Sequence, residues 1–208
     1  MRARTVAAVI VGLVLVGCLA AMIVVIRRGF SARDEPSLAE KFIARRVRSL
    51  AVPSRAKRLP NPVALTPEVL AEGRAHFADH CALCHANDGS GNTEIGQNLY
   101  PKAPDMRLPA TQSLTDGELY YIIQNGIRLT GMPAWGTKDD DRDEDTWTLV
   151  HLIRHLGELT PEQLKEMEQL NPRSPAELEE ERQEQEFLRG GAEPPDDSKK
   201  PQAPHHKH

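Results

Sequence analysis

The hydrophobic residues form one long run near the N-terminus and then return only as short periodic patterns. From Val6 to Ile26 no charged residue occurs. At about 1.5 Å per residue, a helix of this length covers about 31 Å, close to the hydrocarbon thickness of a bilayer. The run therefore predicts one transmembrane helix, within an anchor segment at residues 1–28.

A basic linker is predicted to follow, at residues 29–65. Leu38, Phe42 and Leu50 recur at near-helical spacing among basic residues, which favours an amphipathic helix lying on anionic lipid. Residues 27–58 carry ten Lys or Arg against three Asp or Glu. Such a composition is also typical of a solvated, flexible tether, so both interpretations stay open.

Residues 66–157 contain three helical patterns and no alternation of the kind that predicts a strand. The first pattern begins at Thr66-Pro67. The second begins at the capping box Thr115 to Glu118 and ends at Asn125-Gly126, and the third runs from about 143 to 156. The predicted fold class of this domain is all-α.

The remaining segment, residues 158–208, holds thirteen Asp or Glu against seven Lys or Arg. Thr160-Pro161 and Ser174-Pro175 each begin a charged helical pattern with little apolar surface to bury. Beyond Gly191 the content of Pro, Asp and Lys is typical of disorder. We expect an acidic tail that is partly helical and partly disordered.

The fate of the apolar run has three possible outcomes, and its flanking charges do not fix its orientation, because two arginines stand on each side of it. A cleaved signal peptide would need a shorter apolar stretch and a small-residue exit. Leu15 to Cys18 resembles a bacterial lipoprotein box, yet eight apolar residues follow where a lipoprotein turns polar. We expect an uncleaved anchor, with acylation at Cys18 as the alternative.

Candidate chemistry lies in Cys81-Ala82-Leu83-Cys84-His85, the pattern by which c-type haem is attached through two thiols. A thioredoxin-type motif would follow a strand, whereas a helix leads in here. A zinc site would need a second pair of ligands, and the domain has no further cysteine. The third cysteine lies in the apolar run, which argues against a disulfide scaffold. The motif predicts one covalently bound haem c with His85 as an axial ligand of the iron.

Met132 is the predicted second axial ligand, in the setting Gly131-Met132-Pro133 and 47 residues after His85. Met106, only 21 residues after His85, is the alternative methionine. A second histidine ligand is the other possibility. The histidines available for that role also form two helix-face pairs that could hold a metal, although solvation on a helix surface is favoured for all of them: His76, His80, His151 and His155.

These residues give the domain a family resemblance: residues 66–157 resemble a class I cytochrome c, on Gly73 and Phe77, the attachment motif, Gly89-Ser90-Gly91 and the Gly-Met-Pro segment. The resemblance covers less than half of the chain, and soluble members lack the flanking segments. Membrane-tethered cytochrome c modules of respiratory complexes are the closer comparison. The family pattern implies that the first and last helices cross near Gly73 and Phe77. It also implies that the carbonyl of Pro104, or less readily that of Pro101, faces the far nitrogen of His85.

Haem propionates need partners when they are buried, and the candidates are Arg107, Arg128 and Trp135, against the alternative of ordinary surface residues. The acidic run from Asp139 to Asp145 is either a steering surface for a basic partner or a solvated loop. The terminal histidines are either a weak metal site or a simple tail: His205, His206 and His208.

The resemblance implies a bacterial cytoplasmic-membrane protein with a single span and a haem domain on the periplasmic side, where covalent haem attachment takes place. We expect it to carry single electrons between redox proteins or within a respiratory complex, without nucleic acid or a small-molecule substrate. With both axial positions filled, it would not be an enzyme by itself. A haem subunit of a larger oxidase or dehydrogenase, or a haem-based ligand sensor, are the alternatives.

Overall fold

The computed structural model describes residues 2–29, 31–136 and 143–189, and this part of the chain is helical without strands. The helices are α1 (Arg2–Arg28), α2 (Leu38–Ala51), α3 (Pro67–His80), α4 (Ala82–His85), α5 (Glu94–Gln97), α6 (Pro109–Gln112), α7 (Asp116–Asn125), α8 (Glu144–His155), α9 (Pro161–Leu170) and α10 (Pro175–Leu188). Two 3-10 turns lie at Ala56–Arg58 and Leu156–Glu158. The all-α fold predicted from the helical patterns is confirmed.

Helix α1 is long and apolar enough to cross a bilayer between Ala3 and Arg27. Its apolar side chains are exposed throughout, with Leu13 at 69% and Val16 at 66%. A helix in water that exposed so much apolar surface would gain no free energy from the burial of its side chains. The helix therefore fits a membrane anchor.

Helices α3 and α8 cross at Gly73, as the family pattern implies. A Cβ atom at Gly73 would lie 3.1 Å from the Thr148 carbonyl oxygen and 3.2 Å from the Leu152 Cβ. The absent side chain therefore allows the two helices to approach closely. Phe77 and Trp147 are each only 1% exposed in the core that this crossing organises.

The three helices predicted in the domain begin where their capping residues stand. The Thr66 side chain accepts a hydrogen bond from the Val69 N–H at the start of α3. Thr115 and Glu118 form the expected capping box of α7, and Gly126 ends that helix at a φ of 64°. Asp143 caps α8 in the same manner.

Helix α9, in the segment we expected to have little to bury, packs into the domain. Met167 is 0% exposed and belongs to the core cluster, and Arg74 of α3 pairs with Glu166 at 3.4 Å. The sequence-based expectation was wrong here, because one buried methionine is enough to dock a helix whose other residues are mostly charged or polar. None of the described side chains of α10, at residues 176–188, is buried.

The second half of the linker also packs against the domain. Val52 and Ala56 are buried, and the Asn61 side chain donates to the Trp147 carbonyl at 2.9 Å. Gly117 faces the Ala56 carbonyl so closely that a Cβ atom would overlap it. Residues 52–61 are thus held against the domain, and the first half of the linker forms α2, the amphipathic helix of our two alternatives.

Two predicted features lie outside the described residues. The acidic positions Asp139, Asp140 and Asp141 are in the segment 137–142, and the terminal histidines His205, His206 and His208 are in the segment 190–208.

Candidate haem site

The attachment motif continues α3 with a single tight turn. The Cys81 N–H donates to the Phe77 carbonyl at 2.8 Å, and the His85 N–H donates to the Cys81 carbonyl at 3.0 Å. Ala82 is buried at 5% exposure, and Cys81 packs against the core cluster. Cys81 and Cys84 are free thiols. The turn therefore presents both sulfurs from one short, well-anchored segment.

Burial sets the protonation of the motif. It raises the pKa of the Cys81 thiol to about 12, with the neighbouring Cys84 as a smaller contribution. Burial also lowers the pKa of His85. Near neutral pH the imidazole is therefore uncharged, which is the form that binds a metal.

Three small contacts hold the loop that follows the motif. A Cβ atom at Gly96 would overlap the Cys84 carbonyl oxygen, and the Thr93 hydroxyl donates to that same oxygen at 3.2 Å. The Ala103 N–H then donates to the Gly96 carbonyl at 2.9 Å. Sequence reasoning missed Thr93 and Gly96, because a lone glycine within a four-residue helix carries no recognisable signal.

Met132 lies on a loop that folds back onto the end of α7. Its carbonyl accepts from the Ile127 N–H at 3.1 Å, and its own N–H donates to the Thr130 hydroxyl at 3.2 Å. The Trp135 N–H reaches the Ile123 carbonyl at 3.1 Å. This loop, residues 127–136, is called the methionine loop below.

Two contacts join the methionine loop to the surroundings of the motif. The Trp135 ring stacks on His80, which immediately precedes Cys81, with centroids 5.4 Å apart and planes inclined by 12°. A Cβ atom at Gly131 would lie 2.5 Å from Leu99 Cδ2, and Leu99 follows the loop that Gly96 seats against Cys84. Met132 is half-buried against the same core cluster as Cys81.

Met106, the alternative ligand, is more deeply buried, at 7% exposure, within the core cluster. Its N–H donates to the Gly89 carbonyl at 2.8 Å, and its carbonyl accepts from the Gln112 side chain at 2.7 Å. The residue is thus fixed by both backbone groups. Its thioether is placed as a packing side chain of the core.

The predicted propionate partners occupy different settings. Arg107 is held by two carboxylates, with Asp105 at 2.8 Å and Asp88 at 3.0 Å. The hydrogen bonds from this guanidinium hold the pKa of Asp105 below its ordinary value. Arg128 is exposed, and Trp135 is 46% exposed beside its stacking partner His80.

The hydrogen bond expected between Pro104 and His85 is not formed in this structure. The His85 Nδ1 atom is buried without a hydrogen-bond partner among the described residues. The Pro104 carbonyl lies instead beside Gly91, 3.1 Å from where a Cβ atom would stand. The role of Pro104 stays a prediction.

The four histidines considered as alternative ligands make contacts with other groups of the protein. His151 Nε2 is 2.8 Å from the Val63 carbonyl oxygen, and His155 Nδ1 is 2.7 Å from the His151 carbonyl oxygen. His76 and His80 contact each other edge to face, at 4.8 Å between centroids. In the part of the chain that the structure describes, no three His, Cys, Asp or Glu residues gather into a metal site.

The residues of the motif fit a covalently attached haem. Two free thiols three residues apart can each form a thioether. The adjacent imidazole of His85 is in the uncharged form that binds a metal, because burial lowers its pKa. A half-buried thioether on a loop tied to the same region completes a donor set typical of haem iron.

Comparison with known proteins agrees with this site. Residues 68–153 match the family model described as cytochrome c oxidase, cbb3-type, subunit III. The chain is 34% identical over 89 residues to the cbb3-type cytochrome c oxidase subunit FixP of Rhizobium meliloti (strain 1021), covering 42% of this chain and 28% of that protein. It is 37% identical over 70 residues to the FixP subunit of Sinorhizobium medicae (strain WSM419), covering 33% and 22% respectively.

The chain thus spans less than a third of the length of these relatives. The family match at residues 68–153 lies in the helical domain that carries the attachment motif. Motif, fold and family match together identify residues 68–153 as a c-type cytochrome domain, carried in a chain whose N-terminal apolar helix fits a membrane anchor.

Proposed function

We propose that this chain binds one haem c through Cys81 and Cys84, with His85 and Met132 as the axial ligands, and carries single electrons. The observation that supports this most directly is the pair of contacts that join the methionine loop to the attachment motif, His80 with Trp135 and Leu99 with Gly131. A thioether would then face the imidazole across one pocket.

When bound, the haem supplies a one-electron iron couple. The chain's residues would set the conditions for it. The core around Phe77 and Trp147, against which Cys81 and Met132 pack, would exclude water from one side of the haem. The neutral imidazole of His85 would be able to hold the iron without first losing a proton, because burial lowers its pKa. Because thioether sulfur favours the reduced metal, Met132 would raise the reduction potential relative to a second histidine.

The same arrangement argues for an electron carrier instead of an independent enzyme. With His85 and Met132 both engaged, no coordination position is left for a substrate. We further propose that α1 spans the bacterial cytoplasmic membrane once and that residues 66–157, with α9 packed against them, lie on the periplasmic side. Haem attachment outside the cytoplasm supports that orientation.

The partner we favour is a respiratory complex in the same membrane. The family model that matches residues 68–153 is described as a subunit of a cbb3-type oxidase, and a chain held by α1 can reach only partners near the bilayer surface. A subunit role and a free-carrier role predict different behaviour in mild detergent. Co-purification with a multi-subunit oxidase supports the subunit role, and a lone polypeptide supports a mobile carrier.

The axial ligands can be tested by spectroscopy of the oxidised protein, where a weak near-infrared sulfur-to-iron band reports methionine ligation. Met132→Ala should abolish the band and lower the reduction potential. The matched control is Met106→Leu, which keeps the core volume and should leave the band in place. Loss of the band in Met106→Leu with survival in Met132→Ala would assign the ligand to Met106.

Carbon monoxide separates electron transfer from ligand sensing. An unchanged spectrum of the reduced protein under carbon monoxide supports the electron carrier, because both axial positions are then closed. Rapid binding would support a sensor that releases Met132. Mass analysis of chain matured in a competent host should show the mass of one haem, and the bare chain mass would refute the whole assignment.

A further inference from the structure

Helix α2 has an apolar face that nothing in the described part of the chain covers. Phe42 is 62% exposed, and Leu38 and Leu50 are 85% and 84% exposed. Ile43 and Val47 are each 59% exposed, and the helix contains no buried residue. The helix is nonetheless regular and begins with a full capping box at Ser37.

The polar face of α2 is held against the cytochrome domain. Tyr100 donates its hydroxyl hydrogen to the Glu40 carboxylate at 3.2 Å, and Lys57 donates to the Ser49 carbonyl at 2.5 Å. Arg45 and Arg48 line a groove together with Ser113 and Glu118 of the domain. The apolar residues are therefore turned outward by contacts that do not involve them.

A second set of ion pairs extends this attachment to the loop beside the haem motif. Glu35 pairs with Lys102 at 2.6 Å and with Lys41 at 3.6 Å. Lys102 lies in the loop that Gly96 seats against Cys84. Contacts with the domain are thus made by the segment just before α2, through Glu35, and by the helix itself.

The connection to α1 keeps α2 near the bilayer surface. Nine residues separate Arg28 from Leu38, and at roughly 3.5 Å per residue they reach about 35 Å at most. A hydrogen bond from the Asp34 N–H to the Ser31 carbonyl shortens that path. The connection is therefore short enough for the apolar face of α2 to reach the lipid into which α1 inserts.

Charge points to the same surface. Residues 27–58 carry ten basic residues against three acidic ones, and basic side chains beside an apolar face are what anionic headgroups attract. The Arg46 guanidinium lies 5.5 Å from the centre of the Phe42 ring, so a charged group borders the apolar face directly.

We propose that the apolar face of α2 lies in the headgroup layer of an anionic membrane. Because α2 also binds the cytochrome domain, it would fix the orientation of that domain relative to the bilayer. This inference rests on α1 spanning the membrane, as proposed above. It does not depend on haem, because none of its contacts involves the attachment motif itself.

The test uses the full chain in nanodiscs of equal parts phosphatidylglycerol and phosphatidylcholine, with and without brominated acyl chains that quench nearby tryptophan. Phe42→Trp and Leu50→Trp each place a probe on the apolar face, and emission is measured as the difference from the unaltered chain. Ala44→Trp is the matched control, because position 44 lies about 160° around the helix from Phe42. Ala44 is exposed as well.

We expect bromination to quench the probes at residues 42 and 50 by about half or more, and the probe at 44 by less than about a tenth, the asymmetry of a helix lying in the interface. Discs of phosphatidylcholine alone should give at least about a twofold smaller effect, because the basic residues then lose their attraction.

Equal quenching at residues 42, 44 and 50 would overturn the proposal, as would its absence at all three in chains that elute with the discs. The second result would indicate that a protein partner covers this face. Chains that fail to elute with the discs would overturn the anchor role of α1 together with this inference, which distinguishes the two failures.

Discussion

Met167→Ala tests whether α9 is part of the cytochrome domain. Met167 is 0% exposed in the core cluster, on a helix whose remaining residues are polar or partly exposed. Truncating a fully buried methionine to alanine removes its apolar contacts and leaves a cavity, which together cost about 3 kcal/mol within a usual range of 2–5. The Arg74–Glu166 pair contributes at most about 1 kcal/mol, since Glu166 is exposed.

The assay is urea unfolding of the full chain with its haem in mild detergent, followed by tryptophan emission. Trp147 is 1% exposed, so its emission reports the loss of the core. With a slope of about 1.5 kcal/mol per molar urea, a loss of about 3 kcal/mol lowers the unfolding midpoint by about 2 M. Gln169→Ala, at an exposed position of the same helix, is the control and should shift the midpoint by less than about 0.3 M.

Truncation after Gly157 extends the test, because the sequence places the end of the domain there. The shortened chain lacks Met167 and the whole of α9, so it should lose at least as much stability as the point variant. A midpoint within about 0.3 M of the full chain for both Met167→Ala and the truncation would show that α9 adds nothing to the fold.

Three further changes test the surroundings of the site. Gly126→Ala should lower stability by about 1–3 kcal/mol and weaken the near-infrared band, because φ is 64° there and a Cβ atom would lie 2.6 Å from the Pro133 carbonyl carbon; an unaltered band and midpoint would contradict this. Thr115→Ala, which removes the cap of α7, should cost about 1 kcal/mol in the same urea assay. Arg107→Ala should raise the pKa of Asp105 towards its ordinary value, measured by carbon-13 NMR of the carboxyl group. Because the folded pKa is the lower one, this ion pair stabilises the protein above the ordinary carboxyl pKa, and the contribution disappears as pH falls through the folded value.

The sequence predicted the helices that hold the site because their signals are local. Thr66, Thr115 and Asp143 each cap the helix that follows them, and Gly126 ends α7 as expected. The attachment motif is equally local, since two thiols and an imidazole lie within five residues. Periodicity and capping depend on neighbours in the chain, so the sequence is sufficient for them.

Periodicity and capping do not predict contacts between segments that are distant in the chain. Nothing in the order of residues marks Met167 as buried, because its immediate neighbours are charged and its helix packs against the distant helix α3. The same holds for Gly96 against the Cys84 carbonyl and for Gly117 against the Ala56 carbonyl. Each depends on where two remote segments meet, which pattern alone does not give.

The stack of His80 on Trp135 would have a consequence for the proposed ligation of haem iron by Met132. It joins the residue that precedes Cys81 to the residue three positions past Met132, so it would keep the Met132 thioether close to the attachment motif even when that sulfur is not bound to iron. A tethered group returns at a high effective concentration, typically millimolar or above for short spans. A small molecule that competes with Met132 for the iron would therefore be opposed by rapid return of the protein's own thioether.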